Sequence, residues 1–271
     1  MLQAEKDRVI AELKARIANH ESGAETERPS FLLGLPEVDQ VLPDGGLRLA
    51  ALHEVAAAAY RDMGAATGFL ISLIIRASRD VSLPVLWCET AKPPFDMGRL
   101  YGPGLSAFGM EPERLIHAFP ASDADCLWTI EEALRSRAFS IVVGEIDGRS
   151  PVLSLAATRR LQLAAEASGV PAVLFTGHAK EGASVAVTRW HIASARSSPV
   201  PYVTPEEKLP GAPRWKVELS RARGGKPASW LLEWNAMKGA FTAVSQAEEN
   251  DGAREPTVTA SPPALPLRQI A

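Results

Sequence analysis

The chain has 271 residues, a net charge of −3 and a pI near 6.0. That is enough sequence for one domain with tails, and it gives no overall positive field for nucleic acid. With 46% hydrophobic and 23% charged residues, the composition is that of a globular domain with a substantial core. Cys88 and Cys126 are too few for a disulfide framework or a four-ligand zinc site, and both lie in apolar runs that read as core.

Residues 1–20 have the period of an amphipathic helix, with Leu2, Val9, Ile10, Leu13 and Ile17 on one face. It reads either as a cover for the domain's own core or as a partner helix. No apolar h-region follows the charged Glu5-Lys6-Asp7-Arg8, and no run approaches the roughly 20 apolar residues of a membrane span. A cytoplasmic protein that makes no membrane contact is expected. A polar linker, His20 to Pro29, leads to Phe31–Leu47, where Pro43-Asp44-Gly45-Gly46 forms a turn.

The stretch from Leu47 to Asp80 organises the rest. A short apolar run, Leu49 to Val55, suits a buried strand, and small residues from Ala56 to Gly64 suit a loop. Thr67, Phe69, Leu70, Leu73 and Ile74 then recur at helical spacing. Strand, small-residue loop and helix is the arrangement of a phosphate-binding loop, in which loop N–H groups and a helix N-terminus converge on an anion. The chemistry of that loop is missing. Where Gly-Lys-Ser/Thr is required, the chain reads Gly64-Ala65-Ala66-Thr67, with alanine at the lysine position.

Further along, Pro84 to Thr90 is a second buried-strand pattern, ending in Glu89. Tyr101 to Phe119 reads as helix, glycine turn and strand. Asp125 to Arg137 is a helix with Leu127, Ile130 and Leu134 on one face. Phe139 to Ile146 is a third strand carrying Glu145. Ser154 to Ser168 is a helix stopped by Gly169 and Pro171, and Ala172 to Gly177 is a fourth strand. Strands alternating with helices predict an α/β sheet built by right-handed crossovers. Thr188–Ala195, Trp215–Ser220 and Ser229–Trp234 read as later strands around a proline-rich connection. From Thr242 the composition turns to Ala, Glu, Ser, Thr and Pro, which predicts a disordered or partner-binding tail. Three segments result: 1–29 helix and linker, 30–241 the α/β domain, 242–271 the tail.

The motif order is similar to the RecA ATPase core. Gly34, Asp39, Leu42, Gly45, Gly46 and Leu47 precede a strand ending in Glu54-Val55. Glu89 stands where RecA has the glutamate that polarises the attacking water. Glu145 stands one residue beyond the point, here Gly144, where an aspartate normally follows the third strand. Because side chains alternate along a strand, that displacement is expected to turn Glu145 away from the metal position. A RecA-like core with a mostly parallel central sheet, an N-terminal helix, a phosphate loop lacking its lysine and a proline-rich tail together resemble the ImuA family. These are RecA-related accessory proteins of the SOS response, and some members have been labelled SulA-like cell-division inhibitors.

The resemblance implies a non-catalytic partner in error-prone translesion synthesis. It would act with ImuB, a polymerase-like protein, and with the polymerase DnaE2, and would contact RecA. No cofactor is expected: a phosphate-loop lysine contributes charge-assisted hydrogen bonds of about 1.5–3 kcal/mol each, and its loss argues against binding of ATP and Mg²⁺. Gly64, Ala65, Ala66 and Thr67, with Glu89 and Glu145, remain the candidate residual nucleotide site. The alternative is structural: Thr67 as a helix N-cap and Glu89 as a solvated strand-end carboxylate. Lys216, Arg221, Arg223 and Lys226, in a basic stretch that begins at Lys208 and Arg214, are the candidate nucleic-acid or partner contacts, near Trp215 and Trp230. Alternation places Trp215 with Val217 and Leu219, facing the core, and the mild net charge favours protein contact over DNA. His53, His117, His178 and His191 show no ligand spacing, so no metal site is expected. Two other function classes stay open: a divergent ATP-binding recombinase paralogue, and a cell-division inhibitor that binds FtsZ.

Overall fold

The structure, a computed structural model, describes residues 29–92, 95–178, 182–198, 209 and 211–245. The helix expected over 1–20, Lys208 and the tail beyond 245 lie outside the described residues. In chain order the elements are β1 (Ser30–Phe31), the single turn α1 (Pro36–Asp39), β2 (Leu47–Arg48), β3 (Leu52–Ala57), α2 (Met63–Ala77), β4 (Val85–Glu89), α3 (Gly102–Phe108), β5 (Leu115–Ala118) and α4 (Asp123–Ser136). They continue with β6 (Ile141–Glu145), α5 (Leu155–Ser168), β7 (Ala172–Phe175), β8 (Thr188–Ala195), β9 (Arg214–Ala222), β10 (Ala228–Asn235) and β11 (Ala240–Ala243).

Strands β3 to β11 form one sheet in the order β11-β10-β9-β8-β3-β7-β6-β4-β5. Every pairing from β8 to β5 is parallel, and β9, β10 and β11 extend the sheet antiparallel. This is the mostly parallel α/β sheet, flanked by helices, that the alternation of strands and helices predicts. The parallel strands β3, β4, β6 and β7 are buried at every position, which is why, His53 and Glu54 of β3 aside, they read as near-continuous apolar runs rather than alternating ones. One face packs on α2 through Phe69, Leu73, Trp87, Trp190 and Trp215. The other packs on α4 and α5 through Leu86, Ile130, Leu134, Leu161 and Leu174. Trp215 faces the core, as its alternation predicts, and meets Phe69 edge-on at 5.7 Å. Cys88 and Cys126 are buried thiols with their sulfurs 3.2 Å apart.

The residues that open the RecA-like pattern hold the entry to the sheet together. The Asp39 carboxylate accepts the backbone N–H groups of Leu33, Gly34 and Leu35 at 2.8, 3.0 and 3.1 Å. Gly34 has φ +87°, and a side chain at Gly46 would come within 2.7 Å of the Phe31 carbonyl oxygen. Two of the longer helices are capped at their ends. Ser122 and Ser154 cap α4 and α5 by accepting the N–H groups of Asp125 and Ala157, and Gly169 (φ +79°) ends α5.

Two boundaries differ from the sequence reading. The strand before the loop is Leu52–Ala57, and α2 begins at Met63, so Gly64 is helical rather than in the loop. Ser229–Trp234 is not the last strand. Residues 240–243 add β11, whose Phe241 packs 4.9 Å from Trp234, and this core contact carries the sheet past the change in composition at Thr242. Among the described residues no helix is long and apolar enough to cross a membrane.

The candidate site at the carboxyl edge of the parallel strands

The ends of β3, β4, β6 and β7 and the start of α2 meet at one edge, the place where open α/β sheets bind ligands. After β3 the chain runs through Ala58 and Ala59 into a 3₁₀ turn, Tyr60–Asp62, and then into α2. Asp62 is the residue at the helix N-terminus. Its side chain makes no cap bond within the helix; instead Oδ1 accepts the backbone N–H of Ser194 at 3.0 Å and its hydroxyl at 2.7 Å. Burial pushes this carboxyl up, but the Ser194 bonds outweigh it and hold the group below its ordinary value. A fixed carboxylate therefore stands at the end of α2 whose dipole and free N–H groups would favour an anion.

Of the loop residues, Gly64 is exposed, Ala65 half-buried and Ala66 buried, all in the first turns of α2. Thr67 is not the N-cap: it lies one turn inside the helix and its hydroxyl donates to the Met63 carbonyl at 3.0 Å. A segment from beyond β4 folds across this end. Phe95 is buried against Gly177, where any side chain would overlap its ring, and Gly177 has φ +70°. The Met97 methyl lies 3.9 Å from where a Cβ at Gly64 would be, and the Tyr60 hydroxyl donates to the Asp96 carbonyl at 3.4 Å.

Glu89 is 1% exposed, so the reading of it as a solvated strand-end carboxylate is wrong; the β5 strand and the chain around Arg99 enclose it. It pairs in register with Glu145 on the adjacent β6. The one-residue displacement does not turn Glu145 away from Glu89. Val85, Trp87, Ile141 and Val143 share the α2 face, and alternation brings Glu89 and Glu145 to that same face together. Position 144 points to the other side, where Ile130 of α4 and Leu174 leave no room for a side chain. Glu145 Oε2 accepts from the indole N–H of Trp87 at 3.2 Å. Burial, then the neighbouring Glu89 charge, push Glu145 up to about 8, so Glu145 holds its proton near neutral pH.

His117 Nε2 lies 3.3 Å from Glu89 Oε1 and Arg99 Nε 3.5 Å from it. The first distance suits an ion pair, yet both atoms are buried without a hydrogen bond. The Phe119 ring is covered by Arg99, with Cζ 4.3 Å from its centroid, and by His117 at 4.1 Å. Among the described residues no three His, Cys, Asp or Glu side chains are placed to hold a metal ion.

The basic candidates do not join this site. Lys216 is exposed on β9, and Arg221 donates to the Ser184 carbonyl at 2.6 Å. Arg223 and Lys226 lie on the β9–β10 turn, which packs on Val41 and Pro43 near the opposite, amino ends of β3 and β8. Arg214 is taken up by an ion pair with Glu233 at 2.6 Å. Trp230 is half-buried against Trp190, with ring centroids 6.3 Å apart.

Sequence reasoning missed Asp62, Phe95, Arg99 and His117, because none sits in a motif and each acts through a distant partner. It also missed a buried ion pair on the opposite sheet face, Glu54 with Arg189 at 2.6 Å. Only the Glu89–Glu145 pairing had a signal, namely the matching positions of the two carboxylates on buried strands.

Comparison with known proteins places these residues in a lineage. No protein-family model matches the chain. The protein ImuA of Caulobacter vibrioides, found in two strains, is 34% identical to it over 246 residues, which cover 85% of this chain and 95% of the relative. At that identity and coverage, the chain belongs to the ImuA family.

Proposed function

We propose that this protein is a non-catalytic, RecA-like adaptor of the SOS DNA-damage response. It works in error-prone translesion synthesis beside an ImuB-type polymerase-like protein and the polymerase DnaE2, and it contacts RecA. Family membership supports the SOS setting. The observation that carries the adaptor reading is the start of α2, where Asp62 is fixed to Ser194 and an alanine stands at the lysine position. A phosphate there would meet a carboxylate with no loop lysine beside it, its nearest cation being the exposed Arg61 at 3.9 Å. At about 4 Å and an effective dielectric near 20, the repulsion from the carboxylate is on the order of 4 kcal/mol before Arg61 offsets part of it. Phe95 and Met97 fold over the same end. These residues do not fit a nucleotide.

The test is equilibrium binding of a fluorescent ATP analogue with Mg²⁺, with and without single-stranded DNA, alongside co-purification with the polymerase-like partner. No saturable binding at millimolar nucleotide and a stable complex are expected. Saturable binding altered by Thr67→Ala or Glu89→Ala would make the protein a nucleotide-dependent switch instead. Loss of FtsZ pelleting on addition of the protein would favour the cell-division reading.

A further inference from the structure

Two thiols take no part in the candidate site. Cys88, the last residue but one of β4, and Cys126, at the end of the first turn of α4, are both fully buried, with their sulfurs 3.2 Å apart. Each thiol also lies against the other residue's carbonyl. Cys126 Sγ is 3.6 Å from the Cys88 oxygen, and Cys88 Sγ is 3.9 Å from that of Cys126. The pair therefore faces across the seam between β4 and α4. A disulfide needs a sulfur separation of about 2.0 Å, so closing one asks for an approach of about 1.2 Å and adds no bulk to the core.

The closed fold protects both thiols. The hydrogen bond to Cys88, then burial, push the Cys126 thiol far above its ordinary value, and neither sulfur meets solvent. The way in is the start of α4. Ala124 and Asp125 are exposed there, and two bonds hold the turn shut. The Ser122 hydroxyl oxygen accepts the Asp125 N–H at 3.2 Å, and the Ser150 hydroxyl donates to the Asp123 carboxylate at 2.5 Å. When that turn frays, Cys126 is the first buried residue to reach water, and helix N–H groups beside it favour the thiolate.

We infer that Cys88 and Cys126 are a modification site, a thiol pair that hydroperoxides oxidise to a disulfide and that the first turn of α4 gates. The Cys126 thiolate attacks one peroxide oxygen. The S–O bond forms, the O–O bond breaks and hydroxide leaves to take up the proton Cys126 released, so the sulfur is oxidised to a sulfenic acid and the peroxide reduced. As the turn recloses, the Cys88 sulfur attacks that of Cys126. The S–S bond forms, the S–O bond breaks, and the departing hydroxide leaves as water with the Cys88 proton. Two thiols and one peroxide become one disulfide and two waters. The bond ties β4 to α4 across 38 positions of chain that include Glu89, Arg99 and His117. It stands apart from the adaptor reading, because it needs neither nucleotide nor partner.

The experiment adds hydrogen peroxide to the reduced full-length protein, blocks free thiols with N-ethylmaleimide in denaturant, and maps tryptic peptides without reductant. Exposed Met97 and Met237 take up oxygen under the same conditions, so the readout is the joined peptides 80–99 and 115–135 rather than the intact mass. That pair is expected as the main cysteine product, and dithiothreitol should separate it. Both peptides blocked by maleimide, sulfinic acid at either position, or links between molecules would overturn the inference. Ser122→Ala removes the cap bond and should speed disulfide formation roughly fivefold; an unmoved rate would overturn the gate. The oxidised protein should melt on the order of 5–10 °C above the same sample after dithiothreitol, which leaves methionine sulfoxide in place. An equal or lower melting temperature would overturn the tie between β4 and α4.

Discussion

Gly144 occupies the position at which a RecA-type strand would carry its metal-side aspartate, and restoring a side chain there should damage the fold rather than repair the site. A Cβ built on Gly144 would overlap Ile130 Cδ1, and would lie 3.2 Å from Ile130 Cγ1 and 3.4 Å from Leu174 Cδ2. Both neighbours are fully buried, so neither can swing into solvent. Overpacking of this kind costs about 1–3 kcal/mol, the range expected for Gly144→Ala. Gly144→Asp should lose more, because it adds a buried carboxylate with no partner on the α4 face, worth roughly another 1–3 kcal/mol or beyond. Urea unfolding followed by the fluorescence of the tryptophans, most of them buried, measures both. Ile130→Ala alone should cost about 2–5 kcal/mol through its cavity. Combined with Gly144→Ala it should cost less than the sum, since the new methyl enters the space Ile130 vacates, with coupling of about 1 kcal/mol or more. Strict additivity, or a Gly144→Ala variant as stable as the parent, would refute the claim that α4 packing excludes the aspartate.

Three further outcomes follow from the edge of the sheet. Asp62→Ala at pH 7 should cost about 3 kcal/mol through the lost Ser194 bonds. Because the folded carboxyl is held low, that difference should persist above its ordinary value of 3.8 and shrink as pH falls through the lowered one; a penalty independent of pH would contradict it. Glu145 works in the opposite sense. The unfolded chain releases this proton near 4.5 while the fold keeps it to about 8, so stability should decline as pH rises between those values. Glu145→Gln should flatten that decline in urea midpoints, and an unchanged slope would rule out the raised carboxyl. Gly177→Ala places a methyl in the Phe95 ring at φ +70°; it should free the segment around Phe95 and speed limited proteolysis between residues 91 and 101, and an unaltered digestion rate would show that the ring is not held there.

How much of this was legible depended on distance along the chain. The buried strands announced themselves because sheets covered on both faces need continuous apolar runs, and Val85–Glu89 and Ile141–Glu145 supplied them. Ser154 and Gly169 marked the ends of α5 through local bonds a sequence can show, whereas Ser122, the cap of α4, lies before the start the sequence reading gave that helix. The loop before α2 was misjudged because small residues look alike as loop and as helix. Asp62 decides that end through Ser194, a residue no local pattern connects to it. That Glu145 shares a face with Glu89 was not read, because its offset was counted from an absent aspartate instead of from Glu89, its neighbour across the strands. β11 was hidden by composition: Ala240, Thr242 and Ala243 resemble the tail, and only Phe241 betrays the core.

The placement of β3 has a consequence for how the chain is made. Its two neighbours are β7 and β8, and the contact from His53 to Thr188 spans 135 residues. On a ribosome, a strand destined for the centre of the sheet therefore emerges long before either flank exists to pair with it. Synthesis at roughly 5–20 residues per second leaves that apolar edge open for several seconds. The ladder between β4 and β5 closes over a much shorter loop, so the outer part of the sheet can assemble first and the middle last, an order that favours slow folding and a need for chaperone cover during translation.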